Sequence, residues 1–532
     1  MNMTRIFFGV GQGAFYCEIF NEARFQVIYD CGSISKGGGK LIETCIDERL
    51  NPEFETLIFI SHFHADHING IPILVKKCNV KWIFFPYLTK ENRGFMIFYN
   101  TNISKIYEDE INSNSYDFDL TLNAEFVFKF IENPENTINK LLDDILKEKK
   151  SNAISNTEKT DQKKKIKLYA ILEYNMLSSN DSWNNVEVIK SGTNIMDRLC
   201  SDLSGQVFFK DFWEYYSYNI EESKNKQRLL EKFKTEFNET VTFDEFPKRL
   251  NELYKVNSQG KLTSDGKKIN RIFREIGEAN TNSMIFISKN SGSVYTSGCY
   301  ICKFHCGNKY CTISDKCKFL RSSKNVTEPA FVKYKTGFLY TGDFDAKNNF
   351  KEINTYCSDK NDLWEYIGGI QIPHHGSDKN FNEELFNNHI RDSKNKCFNG
   401  FCVVSFGYNN IYKHPAETVI NQIPNLIPVY FICQNSSFEL NVKYESAKVN
   451  EAELNIGKII PGELVIASID IDKDDNYNIY NATQGISFYV KKNFETRKIP
   501  NKLKRIIQTE IEIEDEDYIC VIQSHIDIKN YS

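Results

Sequence analysis

The segment His62-Phe63-His64-Ala65-Asp66-His67 holds three imidazoles and a carboxylate, in a chain of 532 residues that has only nine histidines. In an extended segment, residues two apart point to the same side, so His62 and His64 can grip one cation. Asp66 and His67, at the turn into a helix, can grip a second. Imidazole plus carboxylate suits Zn²⁺, and also Mn²⁺ or Fe²⁺. Further donors follow downstream. Leu339-Tyr340-Thr341-Gly342-Asp343 reads as a strand ending in a carboxylate of the kind that bridges two ions. Ile372-Pro373-His374-His375-Gly376-Ser377 sets adjacent histidines on a Pro/Gly turn. Ser405-Phe406-Gly407 through Asn410-Ile411-Tyr412-Lys413-His414-Pro415 adds another histidine on a loop. Six of the nine histidines fall in these three motifs, and one shared site explains them more simply than three separate ones.

The elements that must position these residues are legible as hydrophobic runs. Leu57-Ile58-Phe59-Ile60 is continuously apolar, as a strand buried on both faces should be, and it leads straight into His62. Phe15–Phe20 and Phe25–Tyr29 read as paired strands, Leu41–Leu50 as a short amphipathic helix and Trp82–Phe85 as a strand. Ile68, Ile71, Leu74 and Val75 share one face of a helix after the first motif. Residues from about 100 to 280 are rich in Asn, Lys and Glu. Their periodicity is mostly helical, with Ile138, Leu141, Leu142, Ile145 and Leu146 in one helix and Leu229, Leu230, Phe233 and Phe237 in another. The polar stretch 147–165, with Lys163-Lys164-Lys165, reads as a solvated loop. The strand pattern returns at Ser283–Ile287, Gly337–Tyr340 and Phe401–Val404. Residues 441–532 show short strands such as Glu463–Ala467 and no catalytic signature. The chain therefore divides into a first core half at 1–100, a mostly helical insertion at 101–279, a second core half at 280–440 and a β-rich C-terminal extension at 441–532.

Composition sets outer bounds. Forty Phe and 28 Tyr supply ample surface to bury, which excludes a disordered chain. A net charge of −5 disfavours a dedicated nucleic-acid coat or a polybasic membrane binder, so any nucleic-acid groove must be local. The first residues lack a long apolar segment and read as no signal peptide. No window approaches the roughly 18 apolar residues of a membrane span. Fifteen cysteines in such a chain read as reduced thiols, and a cytoplasmic location is expected.

The order of motifs resembles the metallo-β-lactamase fold and, more narrowly, the ComEC-type (competence-protein-like) hydrolase branch in a free-standing form. The residues that carry the resemblance are Val10-Gly11-Gln12-Gly13, Asp30-Cys31-Gly32, Asn280 through Phe286, Thr341-Gly342-Asp343, Pro373-His374-His375-Gly376-Ser377, and Asn410-x-Tyr412-x-His414-Pro415. They cover residues 1–100 and 280–435. The resemblance implies an α/β architecture, a four-layer αββα sandwich with two divalent metals, Zn²⁺ or Mn²⁺, at one edge. By carry-over, His62, His64, Asp66, His67 and Asp343 are metal ligands, joined by one or both of His374 and His375. Asp66, His375 and His414 are the catalytic candidates, and Gly11, Gly13, Ser377 and Asn410 are substrate-binding candidates. The sequence departs from the pattern in three places. Gly13-Ala14-Phe15 lacks the usual Asp, Lys413 replaces a Gly, and no His occurs between 68 and 304 to serve as a separate ligand. One metal then has a thinner shell unless His374, an Asn or water completes it.

A second constellation, Cys299-x2-Cys302-x3-Cys306-x4-Cys311-x5-Cys317 with His305, lies in an insert at 289–333. Such spacing in a reduced compartment reads as a structural zinc knuckle; five Cys and one His exceed the four ligands needed, so which four bind stays open, with Cys299, Cys302, Cys311 and Cys317 as candidates and free thiols as the alternative. The expected function is a metal-dependent phosphodiesterase, a nuclease acting on DNA or RNA through metal-activated water. The alternatives are a hydrolase of a small phosphoester, cyclic nucleotide, ester or amide, or a partner-controlled subunit of a bacterial defence system. An ATPase could then engage the insertion or the extension.

Overall fold

The computed structural model describes residues 2–106, 119–152, 165–174, 176, 183, 185–199, 213–221, 223–258, 261–276, 282–291, 298–306, 337–359, 363–386, 401–407, 410, 412–423, 429–434, 436–444 and, beyond these, the strands Val465–Asp470, Asn476–Ala482, Gly485–Lys491, Gln508–Glu512 and Tyr518–His525. In chain order the remaining strands are β1 (Asn2–Phe7), β2 (Phe15–Phe20), β3 (Phe25–Cys31), β4 (Glu55–Phe59), β5 (Asn79–Pro86), β6 (Lys167–Ile171), β7 (Glu187–Ile189), β8 (Trp213–Glu221), β9 (Asn282–Asn290), β10 (Gly298–Cys306), β11 (Gly337–Tyr340), β12 (Ile367–Gln371), β13 (Phe401–Ser405), β14 (Val429–Ile432) and β15 (Ser436–Tyr444). They form two sheets. The first runs β7-β6-β5-β4-β3-β2-β1-β15-β10 and continues into the C-terminal strands; the second runs β14-β13-β12-β11-β9-β8. From β3 to β7 the pairing is parallel, with Ile28 beside Ile58. From β11 to β14 it is parallel as well.

Alternation along each strand sorts side chains between two cores. Phe7, Tyr16, Tyr29, Phe59 and Phe84 point from the first sheet toward Tyr215, Phe286, Phe338 and Tyr340 of the second. Their neighbours Ile6, Ile28, Ile58 and Ile83 point the other way. There they pack under Ile42 and Ile46 of the helix Gly38–Arg49, and under Phe95 and Phe98 of the helix Lys90–Ile106. Tyr29 stacks on Tyr340 at 4.8 Å and on Phe286 at 5.8 Å, so the two sheets meet through aromatic faces. One polar cluster sits in that interface. The buried Glu18 carboxylate accepts hydrogen bonds from Arg5 (2.7 Å), Tyr215 (2.7 Å), Ser288 (2.7 Å) and Tyr340 (2.9 Å). A buried charge is tolerated when it is paired and its lone pairs are satisfied, as these are.

The first-motif helix is two short pieces, Ala65–Ile68 and Ile71–Lys77, with Gly70 between them. The region 101–279 carries the helices Ala124–Glu132, Pro134–Asn152, Ser223–Phe237, Phe246–Leu253 and Ser264–Ile276. It also contributes β6 and β7 to the first sheet and β8 to the second. These strands escape a periodicity reading because the segments around them are long and polar. Of Lys163, Lys164 and Lys165, the first two lie outside the described residues. Among the described residues, no helix is long and apolar enough to cross a membrane.

Candidate metal centre

All the candidate donors hang from strand ends at one edge. β4 ends at Phe59, and His62 and His64 follow in extended backbone before the helix that begins at Ala65. Their rings lie 4.6 Å apart. Asp343 follows β11, and His374 and His375 follow β12. The donors converge as two triads. In His62, His64 and Asp343, one ligand atom from each lies within 4.8 Å of the others, and the same holds for Asp66, His67 and His375. Asp343 stands between them. Its Oδ2 is 3.3 Å from His62 Nε2 and its Oδ1 is 3.3 Å from His67 Nε2. His375 Nε2 is 3.3 Å from Asp66 Oδ2.

The atoms that face this space have no other employment. His62 Nε2, His67 Nε2, His375 Nε2, Asp66 Oδ2 and both Asp343 oxygens are buried and have no hydrogen-bond partner among the described residues. Buried polar atoms are rarely left so. Acceptors crowded against acceptors are what a cation would satisfy, and imidazole with carboxylate is a divalent-metal donor set. The residues present therefore fit a divalent metal centre.

The outer contacts of the imidazoles fix which nitrogen is offered. His67 Nδ1 lies 2.8 Å from Asp30 Oδ2, His62 Nδ1 lies 2.9 Å from Ser61 Oγ, and His375 Nδ1 lies 2.9 Å from the Ser405 carbonyl. A ring whose Nδ1–H is engaged in this way presents its Nε2 lone pair inward. Burial and the neighbouring His67 push the His62 pKa down to about 3, which keeps that imidazole neutral. For His67, burial acts downward, but Asp343, Asp30 and Asp66 together hold it well above the ordinary imidazole range. Burial raises Asp343, and the surrounding His374, His67 and His62 outweigh it, so the carboxyl stays well below its usual range.

Asp30 belongs, with Cys31 and Gly32, to the motifs read from the sequence, which give it no role at the site. It is the second-last residue of β3, at φ +55° and fully buried, and accepts from Ser61 N (2.6 Å), Ser61 Oγ (2.7 Å) and His67. The signal was present: a strand-end carboxylate, beside Cys31-Gly32, at the same edge as the histidines.

The substrate-binding candidates occupy structural positions. A Cβ on Gly13 would lie 2.3 Å from the Gly32 carbonyl and 2.7 Å from that of Asp66, and one on Gly11 would lie 2.3 Å from Ser35 Oγ. These glycines let one turn pack directly against the metal motif. Ser377 accepts from Lys379 N within its own turn. Asn410 bonds the carbonyls of Gly407 and His414 and the amide of His414, so it shapes the loop that carries His414. His414 belongs to neither triad. It is half-buried, with its ring 5.7 Å from that of His374 and stacked near Tyr412. Of the zinc-knuckle candidates, Cys299 and Cys302 lie on β10, whereas Cys311 and Cys317 lie outside the described residues.

No protein-family model matches this chain, and no curated protein matches it. Among solved structures, the crystal structure of human tRNase Z, short form, aligns with 42% of this chain and 61% of that one, at 12% identity and a TM-score of 0.18. The matched part thus spans less than two thirds of that enzyme.

Proposed function

We propose that this chain is a metallo-β-lactamase-fold hydrolase, an αββα sandwich whose strand-end residues hold two divalent cations, and that it acts as a phosphodiesterase on nucleic acid, with DNA as its leading substrate. The observation that carries this reading is the pair of triads facing the two oxygens of one buried carboxylate. His62, His64 and Asp343 would hold one ion; Asp66, His67, His375 and the other Asp343 oxygen would hold the second. Such ions supply a bound water of lowered pKa and offset the charge of the attacked phosphate. His375 is committed to the second triad, so His414, at the rim beside His374, is the group left to donate a proton to the leaving oxygen.

The test is incubation of the chain with Mn²⁺ or Zn²⁺ and end-labelled DNA and RNA, beside His64→Ala, Asp343→Ala and His414→Ala. Cleavage by the wild type is expected to vanish in the first two. In His414→Ala it should fall by roughly 10²–10⁴-fold with metal retained. Equal cleavage by wild type, His64→Ala and Asp343→Ala would refute the reading.

A further inference from the structure

Three of the imidazoles are held from the core strands and the turns at their ends: His62 by Ser61, His67 by Asp30 and His375 by the Ser405 carbonyl, each at Nδ1. His64 is approached from another side. The helix Lys90–Ile106 lays the Tyr99 ring against its imidazole, with centroids 5.0 Å apart and planes inclined by 32°. The next residue of that helix, Asn100, donates from Nδ2 to the Phe63 carbonyl at 3.1 Å and to the Met96 carbonyl of its own helix at 2.9 Å. Two adjacent residues thus press on the His64 ring and pin the peptide that joins Phe63 to His64. An imidazole lone pair lies in the ring plane, so the orientation of the ring decides whether the lone pair reaches an ion.

The amide at position 100 is not there for packing. Asn100 is buried, and its Oδ1 has no hydrogen-bond partner among the described residues. A buried amide with one end unsatisfied is unfavourable, and a leucine of similar volume would avoid that cost. What leucine cannot supply is the donor to Phe63.

The helix is braced in turn by the insertion. Phe95 packs on Phe246 and Phe273 at 6.0 Å, and Phe98 packs on Tyr254 at 5.4 Å and on Phe273 at 6.0 Å. Phe273, on the helix Ser264–Ile276, also lies 5.7 Å from the Tyr99 ring. A row of buried rings, Phe273, Tyr99 and His64, therefore runs from the insertion to a member of the first triad. Close-packed interiors transmit a displacement rather than absorb it. The His64 ring cannot turn toward the helix without moving Tyr99 and Phe273 behind it.

We infer that Tyr99 and Asn100 are positioning residues for His64, and that the helical insertion sets the geometry of one metal site through them. The inference rests on the two-metal reading above and adds to it a task for the part of the chain beyond the residues that carry the family resemblance.

The experiment is Co²⁺ titration of the full chain by chelator competition, with the visible absorption of bound Co²⁺ as a second readout and thermal unfolding as the control. The wild type is expected to hold two ions. Tyr99→Leu, Asn100→Leu and Phe273→Leu should each weaken one ion by about tenfold and shift its absorption bands, leaving the other within a factor of two. Tyr99→Phe keeps the ring and should match the wild type. Phe233→Leu removes a buried ring of the insertion that packs on Phe237 at 4.6 Å and on Phe246 at 5.3 Å. It should lower the thermal midpoint and leave both affinities unchanged. Unchanged affinities and spectra in Tyr99→Leu and Asn100→Leu would overturn the inference. So would equal weakening by Phe233→Leu, which would make the effect one of general stability. If Tyr99→Leu fails to fold, Asn100→Leu and Phe273→Leu decide by the same ratio to Phe233→Leu. A wild type that binds no ion overturns the metal centre and this inference with it, whereas two ions held equally by every variant overturn this inference alone.

Discussion

Asp30→Asn removes one charge and almost no volume, and its effect can be worked from three distances. The carboxylate accepts from Ser61 N at 2.6 Å, Ser61 Oγ at 2.7 Å and His67 Nδ1 at 2.8 Å. When His67 offers its Nε2 lone pair to a cation, its proton must sit on Nδ1, so Asp30 has to act as an acceptor there. An amide has one accepting end and one donating end. Turned either way, its NH₂ meets the imidazole N–H or the Ser61 N–H, donor against donor. Buried carboxylate partners of metal-bound imidazoles are worth roughly 10–100-fold in metal affinity, about 1.4–2.7 kcal/mol. The buried donor left unpaired costs about 1–3 kcal/mol of folding stability. Chelator-competition titration should therefore show the affinity of the site containing His67 falling by about 10–100-fold. The site built on His62 and His64 should change far less. A dissociation constant within a factor of two of wild type, together with an unchanged thermal midpoint, would refute the assigned role of Asp30.

Further outcomes can be measured independently. Gly32→Ala would place a Cβ 2.4–2.5 Å from the backbone of Asp66 and His67, and should cost more than about 3 kcal/mol in urea unfolding, whereas Gly37→Ala, at φ +75° with open space around it, should cost only about 1–2 kcal/mol. Similar losses for the two would show that Gly32 is not pressed against the motif. Glu18→Ala strands the buried Arg5 guanidinium and should destabilise by about 3–5 kcal/mol, while the double change Arg5→Met with Glu18→Leu should recover only part of that, because the hydroxyls of Tyr215, Ser288 and Tyr340 still lose the acceptor that Glu18 supplied. An additive double variant would contradict the coupling. Without a cation, His67 is held charged well above the ordinary imidazole pKa, so uptake at neutral pH must displace its proton and affinity must fall as pH is lowered. Calorimetry in buffers of differing ionisation enthalpy should report that release, and an enthalpy independent of buffer would contradict it.

How far the sequence led depended on how local each signal was. His62, His64, Asp66 and His67 are close in the chain, and their spacing alone puts them at one strand end; the structure brings them together there. Asp343 and His375 reach the same point only through parallel β11 and β12, whose neighbouring ends carry them. Their strand-end positions were readable, but which oxygen each histidine faces was not, because that is set by the left-handed turn at 374–376. Asp30 was legible as part of a motif but its role was not, because a buried carboxylate shows what it does only through its partners Ser61 and His67. The strands β6, β7 and β8 were hidden for a different reason. Lys167–Ile171 and Glu187–Ile189 are short, and they become strands by pairing with the edge of a sheet already formed by β3, β4 and β5.

Charge would let the proposed metal centre take a phosphodiester even in a chain that is acidic overall. Net charge is −5, and a surface field of that sign repels a polyanion. The buried edge works against it locally. Three carboxylates converge there, Asp30, Asp66 and Asp343, and two divalent cations would exceed their combined charge and leave the site positive. Burial makes that small excess count, since interactions away from water are screened much less than those at the surface. It also explains why neutral imidazoles make up most of the inner donor set. Further carboxylates would cancel the excess that attracts phosphate, whereas a neutral ligand such as His62 holds an ion without reducing its charge. The downward push on the His62 pKa to about 3, caused first by burial and then by His67, would thus serve the proposed binding twice: it keeps the lone pair available and would leave the positive field for an anionic substrate.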